Sequence, residues 1–174
     1  MNVFIYSLFF LLFSCSKESI QNLQTREGLP DQESWDVNII LTDQGIIRAK
    51  VQSGHLEKYN EKEFIMLDSN VYIDFYDNNE NHTSVLTSNM AEVHQNSNDM
   101  MAKGNVVAKS DSGITLYSDI LFWDAKGEKL KTKENIMITT LDKDTLYGVG
   151  FESDSDLKNW KILNPTGVTG RKFQ

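Results

Sequence analysis

Three histidines, one cysteine and one acidic run are the residues here whose types and spacing could do chemistry. His55, His82 and His94 lie far apart, and none has the i+4 partner that lets a helix present two imidazoles to one metal ion. They read as solvated or half-buried side chains, with His82 in a turn. Glu152-Ser153-Asp154-Ser155-Asp156 mimics the start of a calcium loop. It lacks the glycine and the terminal glutamate such a loop needs, so it reads as a solvated acidic turn. No G-x-S-x-G nucleophile occurs. Gly148-Val149-Gly150 is too short to cradle a phosphate and falls in a strand pattern. With 25 acidic residues some glycosidase-like pair is always available, but nothing in the spacing selects one. The expectation is no catalytic residue, no metal and no cofactor.

Cys15 is different, because it ends the only long apolar run. Met1 to Ser14 holds no charged side chain, and Val3 to Phe13 is apolar apart from Tyr6 and Ser7. As a helix this run of about 12 residues would reach roughly 18 Å, short of a ~30 Å hydrocarbon core. It therefore reads as the apolar region of a secretory signal. Leu12-Phe13-Ser14-Cys15 resembles the lipobox of bacterial lipoproteins, in which the chain is cut before the cysteine and that residue is acylated. More than one acyl chain is needed for stable anchoring. The expected organisation is a signal peptide at 1–14, a lipidated cysteine and tether at 15–34, and a domain at 35–174. A lone cysteine excludes an internal disulfide. The net charge of −8 argues against nucleic acid and against adhesion to anionic membranes by charge.

The elements that must carry any site are strands. Trp35, Val37, Ile39 and Leu41 alternate, as do Ile47, Ala49 and Val51; Val71, Ile73 and Phe75; and Ile114, Leu116, Ser118, Ile120 and Phe122. Turn residues punctuate them at 43–45, 77–81, 96–99, 111–113, 124–127 and 141–144. A weak repeat runs through Ser53, Ser88, Ser118 and Gly148, at spacings of 35, 30 and 30. Two strands and two turns per repeat point to an all-β fold of stacked hairpins. Such a stack leaves open sheet edges at its two ends, which a partner must cover. Tyr72, Tyr76, Tyr117 and Tyr147 fall on the opposite parity, as a sugar-binding face or as cross-strand pairs on the outside of the sheet.

Several stretches resemble the LptC family. They are Gly45-Ile46-Ile47-Arg48-Ala49, Asp74-Phe75-Tyr76-Asp77, Ala102-Lys103-Gly104-Asn105-Val106-Val107, Leu121-Phe122-Trp123-Asp124, Leu146-Tyr147-Gly148-Val149-Gly150-Phe151 and Asp156-Leu157-Lys158-Asn159-Trp160-Lys161-Ile162. The resemblance covers Trp35 to about Gly167. It implies an open, twisted antiparallel β-jelly roll of the OstA/LptA type, with no catalysis. It implies a bridge in lipopolysaccharide export, passing lipid A acyl chains along a hydrophobic groove. The implied partners are transporter subunits of the LptBFG type at one edge and an LptA-like periplasmic protein at the other. The implied place is the periplasm; with Cys15 as anchor, the expected membrane is the inner one. The inward set expected to line the groove is Ile39, Leu41, Ile47, Val51, Met66, Val71, Ile73, Phe75, Leu86, Met90, Met101, Val106, Ile114, Leu116, Ile120, Phe122, Ile136, Ile138 and Leu146. Gly148 and Gly150 are expected to let the last strands bend or pack closely near a partner edge. A membrane-anchored lipoprotein that binds glycan or protein through its tyrosine face is the alternative.

Overall fold

The computed structural model describes residues 28–169, and the regular structure among them is entirely β-strand. The strands are β1 (Gln32–Asp43), β2 (Ile46–Tyr59), β3 (Phe64–Asp68), β4 (Val71–Tyr76), β5 (His82–Ser88), β6 (Met90–His94), β7 (Met100–Ser110), β8 (Thr115–Asp124), β9 (Lys129–Thr139), β10 (Thr145–Asp154) and β11 (Lys161–Thr169). The expected turns fall between them. β1 begins at Gln32, upstream of Trp35. The Asp31 amide donates to Lys58 O at 2.8 Å, and the Asn60 amide to Asp31 Oδ2 at 2.7 Å, which ties the strand entry down.

All eleven strands belong to one antiparallel sheet that folds over on itself. The fold-over shows in the pairing. β2 pairs with β4 through Ala49–Gln52 and with β3 through His55–Tyr59. β7 pairs with β6 through Met100–Lys103 and with β5 through Val107–Ser110. Each long strand thus gives one half to each of two layers. β4 and β5 belong to the first layer, β3 and β6 to the second.

The crease between the layers is where the repeat lies. Ser88 Oγ donates to Met90 O and Ser118 Oγ to Ile120 O, both at 2.9 Å, while Ser53 Oγ lies 2.8 Å from His55 O and 2.6 Å from Asp68 O of β3. All three serines are buried. A hydroxyl bonded two residues onward offers the backbone an alternative to the ladder, and the strand bends there. The ladders slip at the same level: between Lys103 and Val106, between Ser118 and Phe122, and between Val149 and Phe151. Such bulges insert a residue and sharpen the local bend. In β10 the repeat position is Gly148, where an added Cβ would run into Ile162 Cγ2 and the Asn164 carbonyl of β11. Only a glycine lets β11 cross there.

The bulges change which side chains point inward. Ser84, Leu86 and Ser88 are buried, but past the crease the buried residue is Ala91. Leu116 and Ser118 are followed by Leu121. Alternation carried unbroken through the crease had put Met90, Ile120 and Phe122 inside. Each is half-buried, one position away from the buried residue. Met66 and Met101 are likewise half-buried beside buried Leu67, Met100 and Ala102.

Candidate functional site

The space between the layers is apolar and continuous. Val71, Ile73, Leu86 and Leu116 of the first layer join Leu121, Leu130 and Phe151 of the second in one buried cluster. That cluster runs from β2 to β10 and is bounded by two strands that, among the described residues, have one neighbour each: β1, paired with β2, and β11, paired with β10. Both present an unpaired edge.

Of the residues expected to line a groove, Val51, Val71, Ile73, Leu86, Val106, Leu116, Ile136 and Ile138 are buried in this cluster. Ile39, Phe75, Ile114 and Leu146 pack against it. Ile47 is half-buried, two residues from Ala49. Leu41 pairs with Ala49 yet stays 49% exposed, because β1 is the outermost strand and no layer closes over its end. Met66, Met90, Met101, Ile120 and Phe122 lie outside the cluster: Met90, Ile120 and Phe122 because alternation restarts at the crease, Met66 and Met101 because Leu67, Met100 and Ala102 take the inward parity of β3 and β7. Gly148 and Gly150 sit in β10, one strand in from the edge that β11 forms. Gly150 has φ +79°, which marks it as the bulge residue next to Phe151. Cys15 and the apolar run before it lie outside the described residues.

Opposite the crease, the layers meet at a mouth that side chains and one loop close. Phe75 of β4 lies 6.2 Å from Trp123 of β8, ring to ring, across the mouth. Arg48 reaches Asn78 and stands 3.9 Å from Glu128. The loop after β10 then crosses from the second layer to the first. Ser84 Oγ donates to Ser155 O and Ser110 Oγ to Asp156 O, both at 2.7 Å. Between these ties and Trp160 the loop inserts Leu157, which is fully buried with φ +55°. The acidic run is thus no solvated turn: its Ser153 is buried in β10 and its end is a strap over the mouth. Sequence periodicity could not find Leu157, because a single inserted side chain has no period.

The LptC profile, described as lipopolysaccharide-assembly, LptC-related, matches residues 3–169. The chain belongs to the LptC family. As such it is a non-catalytic lipopolysaccharide-assembly protein. No curated protein matches it. Among solved structures it is similar to LptH of Pseudomonas aeruginosa, described as the LptA-homologous periplasmic component of the conserved lipopolysaccharide transport device. Identity is 10%, with 71% of this chain and 95% of that one covered at a TM-score of 0.54. The shared fold is the β-jelly roll expected from the sequence.

Charges in this LptC-family chain sit at the rims of the layers and pair across strands. His55 Nδ1 lies 3.1 Å from Asp68 Oδ2 and its Nε2 3.0 Å from Glu33 Oε1, so the ring joins β1 to β3. Glu57 also stands close, all ligand-type atoms of Glu33, His55 and Glu57 falling within 4.8 Å of one another. The sequence hid this cluster because Glu33 reaches His55 only through the β1–β2 register. His82 lies 2.8 Å from Asp111 and 3.2 Å from Asp74. Rather than sitting in a turn, it opens β5. The carboxylates hold both imidazoles' pKa values above the ordinary one, Asp68 leading for His55 and Asp111 for His82. At the strap, hydrogen bonds from Lys129 and then Asn159 hold Asp154 below the usual carboxylate range.

Proposed function

We propose that this LptC-family chain is a periplasmic bridge in lipopolysaccharide export, with lipid A acyl chains passing between the two layers. The observation that carries the reading is the apolar cluster running without interruption between two unpaired strand edges. An unpaired edge accepts a further strand by backbone hydrogen bonding, and an apolar interior takes acyl chains without net positive charge. The β1 edge follows directly from the tether, so it faces the transporter subunits of the LptBFG type. The β11 edge faces the next, LptA-like protein. Cys15, acylated, holds the chain at the inner membrane. From Cys15 to Gln32 the chain can span at most roughly 60 Å. In the closed state Leu157 fills the mouth, so acyl entry requires the strap to lift. The lining then comprises Val51, Ile73, Phe75, Leu86, Leu116 and Ile138, with Leu157 as the residue displaced.

The test is photocrosslinking to lipopolysaccharide in cells, with the probe at Phe75 or Trp123 at the mouth and at Tyr72 on the outer face. The expected result is crosslinks from the two mouth positions that vanish when ATP is depleted, and none from Tyr72. Silent mouth positions in a folded, expressed protein overturn the reading. The anchor has its own check: Cys15→Ser should abolish incorporation of labelled palmitate and release the chain from the membrane fraction.

A further inference from the structure

The outer face carries a row of side chains that the interior route leaves unused. Tyr72 pairs with Thr87, Thr87 with Val107, Val107 with Tyr117, Tyr117 with Met137 and Met137 with Tyr147, so all six share one face. Tyr117 and Tyr147 are 36% and 40% exposed. From Val107 to Tyr147 the row forms one side of a shallow trough of about 390 Å³, and Asn105, Asp119 and Asn135 stand on its other side. The trough lies where the strands bend. There the β8–β9 ladder is interrupted between the Ser118–Ile136 and Phe122–Lys131 pairs, which leaves main-chain groups of the crease outside the ladder.

We propose that this trough binds a neutral oligosaccharide of gluco-configured, equatorially linked pyranose rings, about two rings long. Two strand spacings separate Tyr117 from Tyr147, about 10 Å, which is the reach of two linked rings. A pyranose of this configuration presents a flat C–H face that stacks on an aromatic ring, while its equatorial hydroxyls point sideways. Tyrosine suits such a ligand, being apolar on its face and polar at its tip. Asn105 and Asn135 supply donors and acceptors for the hydroxyls, and Asp119 supplies acceptors. No lysine or arginine lines the trough, and Asp119 adds negative charge, so a phosphorylated or otherwise anionic sugar is disfavoured. Protein partners need a larger surface, since a stable interface buries roughly 800 Å² on each side. The site is separate from the lipid route, so either reading stands without the other.

Saturation-transfer NMR on the full chain in detergent, with cellotetraose and chitotetraose as probes, tests it. The expected result is transfer to ring protons from at least one of the two sugars. Affinity should fall roughly tenfold or more in Tyr117→Ala and in Tyr147→Ala. Tyr117→Phe keeps the ring and should keep binding. Tyr72→Ala, in the same row but outside the trough, should change nothing. All three side chains are partly exposed, so an unchanged thermal melt confirms that each variant is folded. No transfer from either sugar at millimolar concentration overturns the proposal, as does transfer that survives both alanine replacements.

Discussion

The crease and the mouth are built from the same parts and behave as opposites. Both use buried serine hydroxyls on main-chain carbonyls. At the crease the acceptor is two residues away, as with Ser88 and Ser118. At the mouth the acceptors are 71 and 46 residues away, from Ser84 to Ser155 and from Ser110 to Asp156. A local bond survives as long as its own strand does. A long-range bond survives only while two separate elements stay docked. The bend is therefore held within each strand, whereas closure depends on two separate elements staying docked.

Gly148→Val attacks the crease at its tightest point and should have the largest effect. The added side chain meets Ile162 and the Asn164 backbone, and backbone cannot yield as a side chain tip can. Overpacking of this kind costs about 3 kcal/mol, the upper end of its usual range. That corresponds to a fall of roughly 6–12 °C in melting temperature for a chain of this size. β11 should be displaced, so amide exchange should rise along β11 and along β10 opposite it. A variant that melts like the original would mean that β11 is not fixed by the crease.

Leu157→Ala attacks the mouth instead. Removing a fully buried leucine costs about 2–5 kcal/mol, and a loop position that can collapse should lie at the low end, near 2. The two variants then separate by a second measurement. Binding of a fluorescent fatty-acyl probe should increase in Leu157→Ala, because the plug is gone, and should decrease in Gly148→Val, because the cavity's wall is gone. Equal loss of probe binding in both would remove the distinction between a fixed crease and a movable mouth.

The same contrast explains what could be seen in the sequence. The strands were legible as alternation, the turns as Gly, Asn and Asp clusters, and the crease as the Ser53–Ser88–Ser118–Gly148 repeat, because all of these are local. The repeat was visible before its meaning was. It marks the place where alternation must be restarted, and this is why Val71, Ile73 and Leu116 fell inside as expected while Met90, Ile120 and Phe122 did not. The strap was illegible. Its ties join residues far apart in the chain, and the acidic run that opens it resembles a solvated turn. The His55 cluster was hidden for the same reason, as its carboxylates come from β1 and β3.

Serine deletions give a finer cut. Ser118→Ala and Ser84→Ala each remove one buried hydroxyl bond, worth about 1 kcal/mol. Equal stability loss with unequal exchange is expected. Ser84→Ala should raise amide exchange in 155–160 alone, while Ser118→Ala should raise it on both sides of the bend in β8. Exchange in 155–160 that rises equally in both would make the strap part of the same cooperative unit as the crease.

The smallest effect is set by pH, and here too each region has its own histidine. His55 follows Ser53 at the crease and joins Glu33 to Asp68. His82 faces Asp111 and Asp74 beside the strap's anchor at Ser110. Both have folded-state pKa values raised by those carboxylates, so both favour the folded form when protonated. Their contribution is fully present below the unfolded pKa of about 6.5 and is lost as pH rises through the raised folded values. Melting temperature should therefore decline as pH increases from about 6 to 8, and His55→Gln with His82→Gln should flatten that slope. The single variants divide it. With the intrinsic base catalysis of amide exchange divided out, protection of the strap should become independent of pH in His82→Gln and remain dependent in His55→Gln, since only His82 borders the mouth. A strap whose exchange follows pH through His55 instead would show that the crease transmits its charge state to the mouth, and the two regions would then have to be treated as one switch.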